Sequence, residues 1–314
     1  MRGAGARPIV QLAWVIVLGA FTAAGQGSIV NAVRLRIAQH DLGGAESLAR
    51  AYQAKTGPQP ALAAAYSWLA RGALDAKVLD RADAFADDAR KMAARFLMGQ
   101  KIDDDPWLPV AEGGAIEVHA QVLAARGERA EAVQYLQEQL KQFAGSSLEE
   151  RIHKNINLLT LEGKRAPALD VSQWLGTRPQ ALSALRGHPV LLFFWAHWCG
   201  DCKAMIADVA KIRQTYGPQG LVVVGPTRRY GYAAGGEDAP PEKEKAYIEQ
   251  VRARYYAALS DMPVPFGNAN FLTYGASTTP TLVLLDRMGV VRYYHPGAAG
   301  EAEMAAKIRP LLVR

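Results

Sequence analysis

Hydrophobic positions recur at helical spacing throughout residues 28–165. Apolar residues three and four positions apart predict amphipathic helices, and the abundance of alanine with few β-branched runs argues against strands. Glycines between the periodic segments predict turns, so the region divides into three helical hairpins and a last helix. The predicted helices are residues 29–39, 45–54, 61–71, 76–96, 116–126, 130–143 and 147–161.

The third hairpin contains a local repeat signal. Residues 122–132 (VLAARGERAEA) resemble a tetratricopeptide (TPR) hairpin, in which two helices meet at a glycine and pack through alanines, and residues 68–72 are a weaker copy. Two copies fall short of the three that a solenoid needs. We therefore predict a TPR-like helical domain. It could be an α-helical cap or dimer surface, or a groove that docks a protein partner.

The pattern changes at residues 163–167 (GKRAP), where we place a domain boundary. Continuous apolar runs and turn signals then predict strands that alternate with helical segments. Such alternation predicts an α/β sheet with both faces covered. The predicted strands are residues 190–195, 221–224, 281–286 and 290–294, and the predicted helices follow Cys199, Pro240 and Gly300.

The N-terminal 25 residues have the features of a secretory signal. Arg2 and Arg7 precede a mostly apolar run over residues 9–24, which ends in small residues. The run is shorter than the ~20 residues that a spanning helix needs, which favours cleavage over a retained membrane anchor. The expected organisation is therefore a signal or anchor at 1–25, a helical domain at 28–165 and an α/β domain at 167–314. The expected location is periplasmic or otherwise extracytoplasmic.

Length, composition and charge agree with this division. A chain of 314 residues, half of them hydrophobic, is long enough for two cores. The net charge of +6 is spread along the chain without a basic stripe, so charge gives no reason to expect a nucleic-acid partner.

The chain has only two cysteines, Cys199 and Cys202, in the motif Cys-Gly-Asp-Cys. Cys199 lies between a buried strand and a helix, where free N–H groups and the helix dipole favour the thiolate, which is the attacking form. A bond across so short a gap stabilises little by chain entropy. The six histidines show no zinc-ligand spacing. We therefore predict a redox pair, with no metal and no cofactor.

The surrounding residues carry a family resemblance. Residues 194–203 (FWAHWCGDCK) resemble the active-site stretch of thioredoxins. Three flanking segments narrow the resemblance to the TlpA/ResA-like branch of exported thioredoxins: the lead-in at 169–187, the segment at 274–281 and the hairpin at 284–289 with Gly297. The resemblance covers residues 167–314 and implies a thioredoxin-like α/β fold beside the helical domain.

The resemblance implies a thiol-disulfide oxidoreductase. Cys199 is expected to be the exposed nucleophile, and Cys202 is expected to resolve the mixed disulfide. Thr279 and Pro280 are expected to form a cis bond that leaves the preceding backbone free for an extended substrate, an ordinary trans proline being the alternative. Trp198 is expected to form the substrate surface beside the pair, a core aromatic being the alternative.

Two positions depart from the family pattern. Phe193 stands where thioredoxins commonly carry a buried carboxylate, so Cys202 needs another proton acceptor. Asp201 places an anion next to the cysteines and disfavours the thiolate, whereas a protonated His197 favours it. Both groups could instead be ordinary solvated polar residues.

These expectations combine into one function. We predict an exported reductase of protein disulfides, fed by a membrane electron donor, with apocytochrome c thiols or copper-site cysteines as candidate substrates. The alternatives are a disulfide oxidase or isomerase on the same fold, and a TPR-like partner-binding protein with a thioredoxin docking module. Residues 227–240 are predicted to be a mobile specificity flap, a solvated insertion being the alternative.

Overall fold

Residues 28–160 form a helical layer in the computed structural model, which describes residues 28–312. The predicted signal or anchor at residues 1–25 lies outside the described residues. The helices are α1 (Ile29–Ala38), α2 (Leu42–Thr56), α3 (Pro60–Asp75), α4 (Leu79–Leu97), α5 (Leu108–Ala125), α6 (Arg129–Gln142) and α7 (Glu149–Thr160). Within the described range, no helix combines the length and apolar character needed to cross a membrane.

The helical core is built around α3, which packs against α1, α2, α4 and α5. Small side chains such as Ala63, Ala64 and Ala70 are completely buried and let the helices approach closely, while Leu62 and Leu69 fill the space between them. The hairpin pattern is confirmed in outline. However, α5 begins at Leu108 rather than at residue 116, because the first turn tolerates a proline and the helix continues through two glycines.

The remaining residues form a sheet with helices on both faces. The strands are β1 (Trp174–Leu175), β2 (Val190–Phe194), β3 (Val222–Val224), β4 (Val264–Pro265), β5 (Thr281–Leu285) and β6 (Val291–Pro296). The helices are α8 (Gly200–Ala204), α9 (Ile206–Tyr216), α10 (Pro241–Tyr255), α11 (Asn268–Tyr274) and α12 (Glu301–Leu312).

The sheet order is β3-β2-β5-β6, and β1 pairs separately with β4. β2 is parallel to β3 and antiparallel to β5, and β5 is antiparallel to β6. Every residue of β2 is buried because alternate side chains enter different cores. Leu191 and Phe193 join one core, and Leu192 and Phe194 join the other. The central strand thereby fixes the position of the residues that follow it, including both cysteines.

The two halves meet along α7. This helix packs against α11 so closely that the backbone of Lys154 lies against Gly275, which follows α11 with φ +59°. The side chain of Asn157 donates to the carbonyl oxygen of Thr273 at 3.3 Å. The predicted boundary segment is also tied down, since Gly163 N–H donates to the carbonyl oxygen of Val291 at 2.9 Å. The division at residues 163–167 stays a prediction, and the structure adds an extensive contact across it.

Candidate functional site

Cys199 and Cys202 form a disulfide at the start of α8. Cys199 is the N-terminal cap of this helix, and its Sγ accepts a hydrogen bond from the N–H of Cys202 at 3.0 Å. α9 follows after a single residue, Met205. The positive end of the helical segment therefore faces Sγ, which is the arrangement that favours a thiolate once the disulfide is reduced.

The segment before β5 approaches the disulfide from the other side. The Thr279–Pro280 peptide bond is cis, as expected. The carbonyl oxygen of Thr279 lies 3.4 Å from Sγ of Cys199. The pairing of Phe194 with Thr281 brings the start of β5 beside the end of β2, which explains why these distant parts of the chain meet.

Exposure differs between the residues of the motif. In the disulfide form Cys202 is completely buried and Cys199 is only 2% exposed. The expected nucleophile therefore contributes almost nothing to the accessible surface at the site. Trp198 supplies it instead, because this side chain is 47% exposed and packs edge-to-face against Tyr230 at 5.5 Å between ring centroids. Asp201 is exposed beside it. The roles of these residues in substrate binding remain predictions.

His197 is not a solvated group. It is 1% exposed and lies among the rings of Tyr230, Tyr232 and Tyr247, with centroid distances of 5.6, 5.4 and 5.5 Å. Burial lowers the pKa of His197, although the nearby charge of Glu244 acts in the opposite direction. Burial therefore favours a neutral imidazole near neutral pH, which supplies no positive charge to a Cys199 thiolate.

The loop after β3 is anchored, so the expectation of a mobile flap is wrong for its first residues. Arg228 forms a two-pronged ion pair with Glu150 of α7, with Nη1 2.6 Å from Oε2 and Nη2 3.2 Å from Oε1. The N–H groups of Tyr230 and Gly231 both donate to the carboxylate of Glu244. The sequence pattern missed these contacts because both glutamates lie in charged helices that look solvated.

Phe193 stands where thioredoxins commonly carry a buried carboxylate, and the structure shows that it cannot accept a proton from Cys202. Phe193 is completely buried in the same core as Cys202 and carries no ionisable group. Glu244 is a buried carboxylate of this half at 1% exposure, and its charge acts on His197. Across residues 28–312, no cluster of three or more histidine, cysteine, aspartate or glutamate side chains could hold a metal ion.

Comparison with known proteins agrees with this geometry. Residues 180–311 match the family model described as a thioredoxin-like domain. The C-terminal half is therefore a thioredoxin-like domain with a helical region before it.

The chain is similar in sequence to proteins named as thiol:disulfide interchange proteins and as thioredoxin-like proteins. It is 29% identical over 131 residues to the thiol:disulfide interchange protein DsbE of Xylella fastidiosa, covering 41% of this chain and 57% of that protein. It is also 29% identical over 153 residues to the thioredoxin-like protein YneN of Bacillus subtilis, covering 47% of this chain and 78% of that protein. A solved thiol:disulfide interchange protein from Chlorobium tepidum matches with 19% identity and a TM-score of 0.34, covering 48% of this chain and 97% of that one. The chain thus spans little more than half of the DsbE protein that it resembles, and these matches concern the thioredoxin-like half.

Proposed function

We propose that this protein is a thiol-disulfide oxidoreductase that reduces disulfides of other proteins. The observation that carries the proposal is the disulfide at the cap of α8, with Sγ of Cys199 3.4 Å from the carbonyl oxygen before the cis proline. A reactive cysteine at a helix start beside a carbonyl that can pair with an extended chain is suited to thiol-disulfide exchange. The similarity to proteins named for thiol:disulfide interchange supports it.

The reaction uses both cysteines. In the reduced protein the Cys199 thiolate attacks one sulfur of a substrate disulfide, which forms a mixed disulfide and releases the other substrate sulfur as a thiolate. The Cys202 thiolate then attacks Sγ of Cys199, which releases the second substrate thiolate and forms the Cys199–Cys202 disulfide. Two electrons pass to the substrate. An external dithiol restores the reduced protein.

The remaining parts of the proposal concern location and partners. The signal-like residues 1–25 support export to an extracytoplasmic compartment. In that oxidising setting a reductase needs a supply of electrons, for which we propose a membrane donor. Apocytochrome c thiols and copper-site cysteines remain the candidate substrates.

The opposite direction of electron flow is the main alternative. A disulfide oxidase would have a reduction potential near that of DsbA, about −120 mV, whereas a reductase would lie near thioredoxin, about −270 mV. Equilibration of the protein with mixtures of oxidised and reduced glutathione, and with mixtures of oxidised and reduced dithiothreitol at the reducing end of the range, measures this potential. A value near that of DsbA would overturn the reductase proposal and leave an oxidase.

The activity itself is tested with insulin. With dithiothreitol as reductant, the full chain should accelerate precipitation of the insulin B chain, and the Cys199→Ser variant should not. The Cys202→Ser variant should instead accumulate as a mixed disulfide with protein substrates of the native host. If wild type and Cys199→Ser perform equally, the protein is not an oxidoreductase, and the helical half is then the better candidate for the functional part.

A further inference from the structure

A cleft of about 500 Å³ lies between the helical half and the segment that leads to the cis proline. Its helical wall includes Trp68 and Arg71 of α3, Glu117 of α5, and Arg151 and Lys154 of α7. The opposite wall is Ser277 and Thr278. We call these residues the interdomain cleft.

The cleft adjoins the reactive disulfide. Thr278 is covalently joined to Thr279, whose carbonyl oxygen lies 3.4 Å from Sγ of Cys199. An extended chain advances about 3.3 Å per residue. A substrate strand lying beside Thr279 with its cysteine at Cys199 therefore brings a side chain two to four residues away into the cleft.

The cleft has an excess of positive charge. Glu117 is the acidic side chain in its lining, and three basic side chains surround that carboxylate: Arg151 at 2.7 Å, Lys154 at 3.1 Å and Arg71 at 4.0 Å. These four side chains are between 11% and 22% exposed, so water screens them less than it screens surface charges. One carboxylate cannot balance three cations, and the arrangement is complementary to a second carboxylate.

The arginines of the cleft contact an aromatic ring and two glycines of α5. The guanidinium of Arg71 lies over the ring of Trp68 at 4.5 Å from the ring centroid, as does that of Arg34. Two consecutive glycines, Gly113 and Gly114, face Arg151 and Arg71 from inside α5. A Cβ on Gly113 would lie 2.7 Å from Leu148 Cδ2 and 2.8 Å from Arg151 Nη1, and a Cβ on Gly114 would lie 2.8 Å from Ser67 Cβ and 3.0 Å from Arg71 Nη2.

A glycine in a helix interior costs roughly 0.5–1 kcal/mol relative to alanine. The pair of glycines makes room beside the backbone of α5 for Leu148 and Ser67 as well as for the two arginines. The helix therefore bears a conformational cost at the place where the basic groups converge.

We propose that the interdomain cleft binds an acidic side chain of the substrate, a glutamate or aspartate two to four residues from the cysteine that reacts with Cys199. The helical half then selects among disulfide substrates by their sequence, while the thioredoxin-like half carries out the exchange. This inference rests on the proposed function. The occupant is an extended peptide strand because Ser277 and Thr278, which form one wall of the cleft, lead directly into the cis-proline segment beside Cys199.

The test uses the reduced full-length protein and peptides with one cysteine activated as a thiopyridyl disulfide. Attack by Cys199 forms a bond to the peptide sulfur and releases thiopyridone, which is followed by its absorbance. A single glutamate is moved through the four positions on either side of the cysteine, and each peptide is paired with its glutamine counterpart. The measured quantity is the ratio of the rate constants of each pair.

We expect the glutamate peptide to react at least fivefold faster, a difference of about 1 kcal/mol, at positions two to four on one side of the cysteine only. The ratio should fall towards one in Arg71→Gln and Arg151→Gln. Arg126→Gln is the matched control, because Arg126 is an ion-paired arginine outside the cleft and its replacement changes the net charge equally. Arg126→Gln should retain the wild-type ratio.

The remaining outcomes overturn either the cleft proposal or the oxidoreductase function. A ratio near one at every position overturns the cleft proposal, and so does an equal loss in Arg126→Gln, since the effect is then long-range charge alone. If the arginine variants do not fold, Lys154→Gln is the second variant: it should also lower the ratio, and a wild-type ratio in this variant counts against the proposal. Failure to react with any peptide or with dithiodipyridine instead overturns the oxidoreductase function.

Discussion

The contact between Gly275 and α7 gives a sharp prediction for the Gly275→Ala variant. A Cβ at this position would lie 2.3 Å from the N atom and 2.6 Å from the Cα of Lys154. Ordinary contacts begin near 3.4 Å, so α7 would have to move by about 1 Å, and overpacking of this kind costs about 1–3 kcal/mol. Alanine at φ +59° adds about 1–2 kcal/mol. We expect a total loss of about 2–5 kcal/mol in unfolding free energy.

Gly235→Ala separates the two contributions. Gly235 also has a positive φ, +69°, but a Cβ there would meet nothing within 4 Å. This control should lose only the conformational part, about 1–2 kcal/mol. Urea unfolding of the oxidised full chain, followed by circular dichroism, compares the two variants with wild type. Limited proteolysis near residues 161–167 should accelerate in Gly275→Ala alone. If both variants lose the same free energy and are cut at the same rate, α7 does not pack on the thioredoxin-like half as described.

Three further predictions concern the site and its surroundings. Brief alkylation of the reduced protein near neutral pH should label Cys199 and spare the fully buried Cys202, and mass spectrometry showing preferential label on Cys202 would reverse their roles. Glu150→Ala leaves the mostly buried charge of Arg228 without its carboxylate, with Asn268 still accepting from Nη1, so urea unfolding should show a loss of roughly 3 kcal/mol, most of which the double variant with Arg228→Met should recover. Because burial lowers the pKa of His197, the unfolded chain binds more protons below about pH 6.5. The unfolding free energy should then fall as pH falls, by at most about 1.4 kcal/mol per pH unit from this group, and His197→Phe should show a shallower pH dependence than wild type.

The sequence pattern predicted the strands that are buried along their whole length. The predicted runs at 190–195 and 281–286 correspond to the fully buried strands β2 and β5, each predicted with one residue too many at its end. Such runs identify buried strands because both faces of the sheet are covered. The helix that begins after Cys199 also matches the local pattern, and the Thr279–Pro280 cis bond matches what the resemblance to thioredoxins implied.

Contacts between distant segments could not be predicted in this way. Glu150, Lys154 and Glu244 belong to helices with many charged residues, and a single sequence does not show which charged face is covered. The helix predicted from residue 116 begins at Leu108, and packing against α3 and α7 accompanies its continuation through Gly113 and Gly114. The same limitation led to the prediction of a mobile flap at residues 227–240, because the partners of Arg228 and Tyr230 lie on α7 and α10.

The packing of α7 against Gly275 has a geometric consequence for substrate choice. With backbone against backbone at this point, the distance between the interdomain cleft and the Cys199–Cys202 disulfide is set by the fold and not by a flexible linker. A molecule held at both places must therefore carry its two recognised groups at a matching spacing. A longer or shorter spacing would lose the gain in effective concentration that simultaneous attachment provides. Under the proposed binding, the helical half would select substrate chains by the spacing between their acidic side chain and their reactive cysteine.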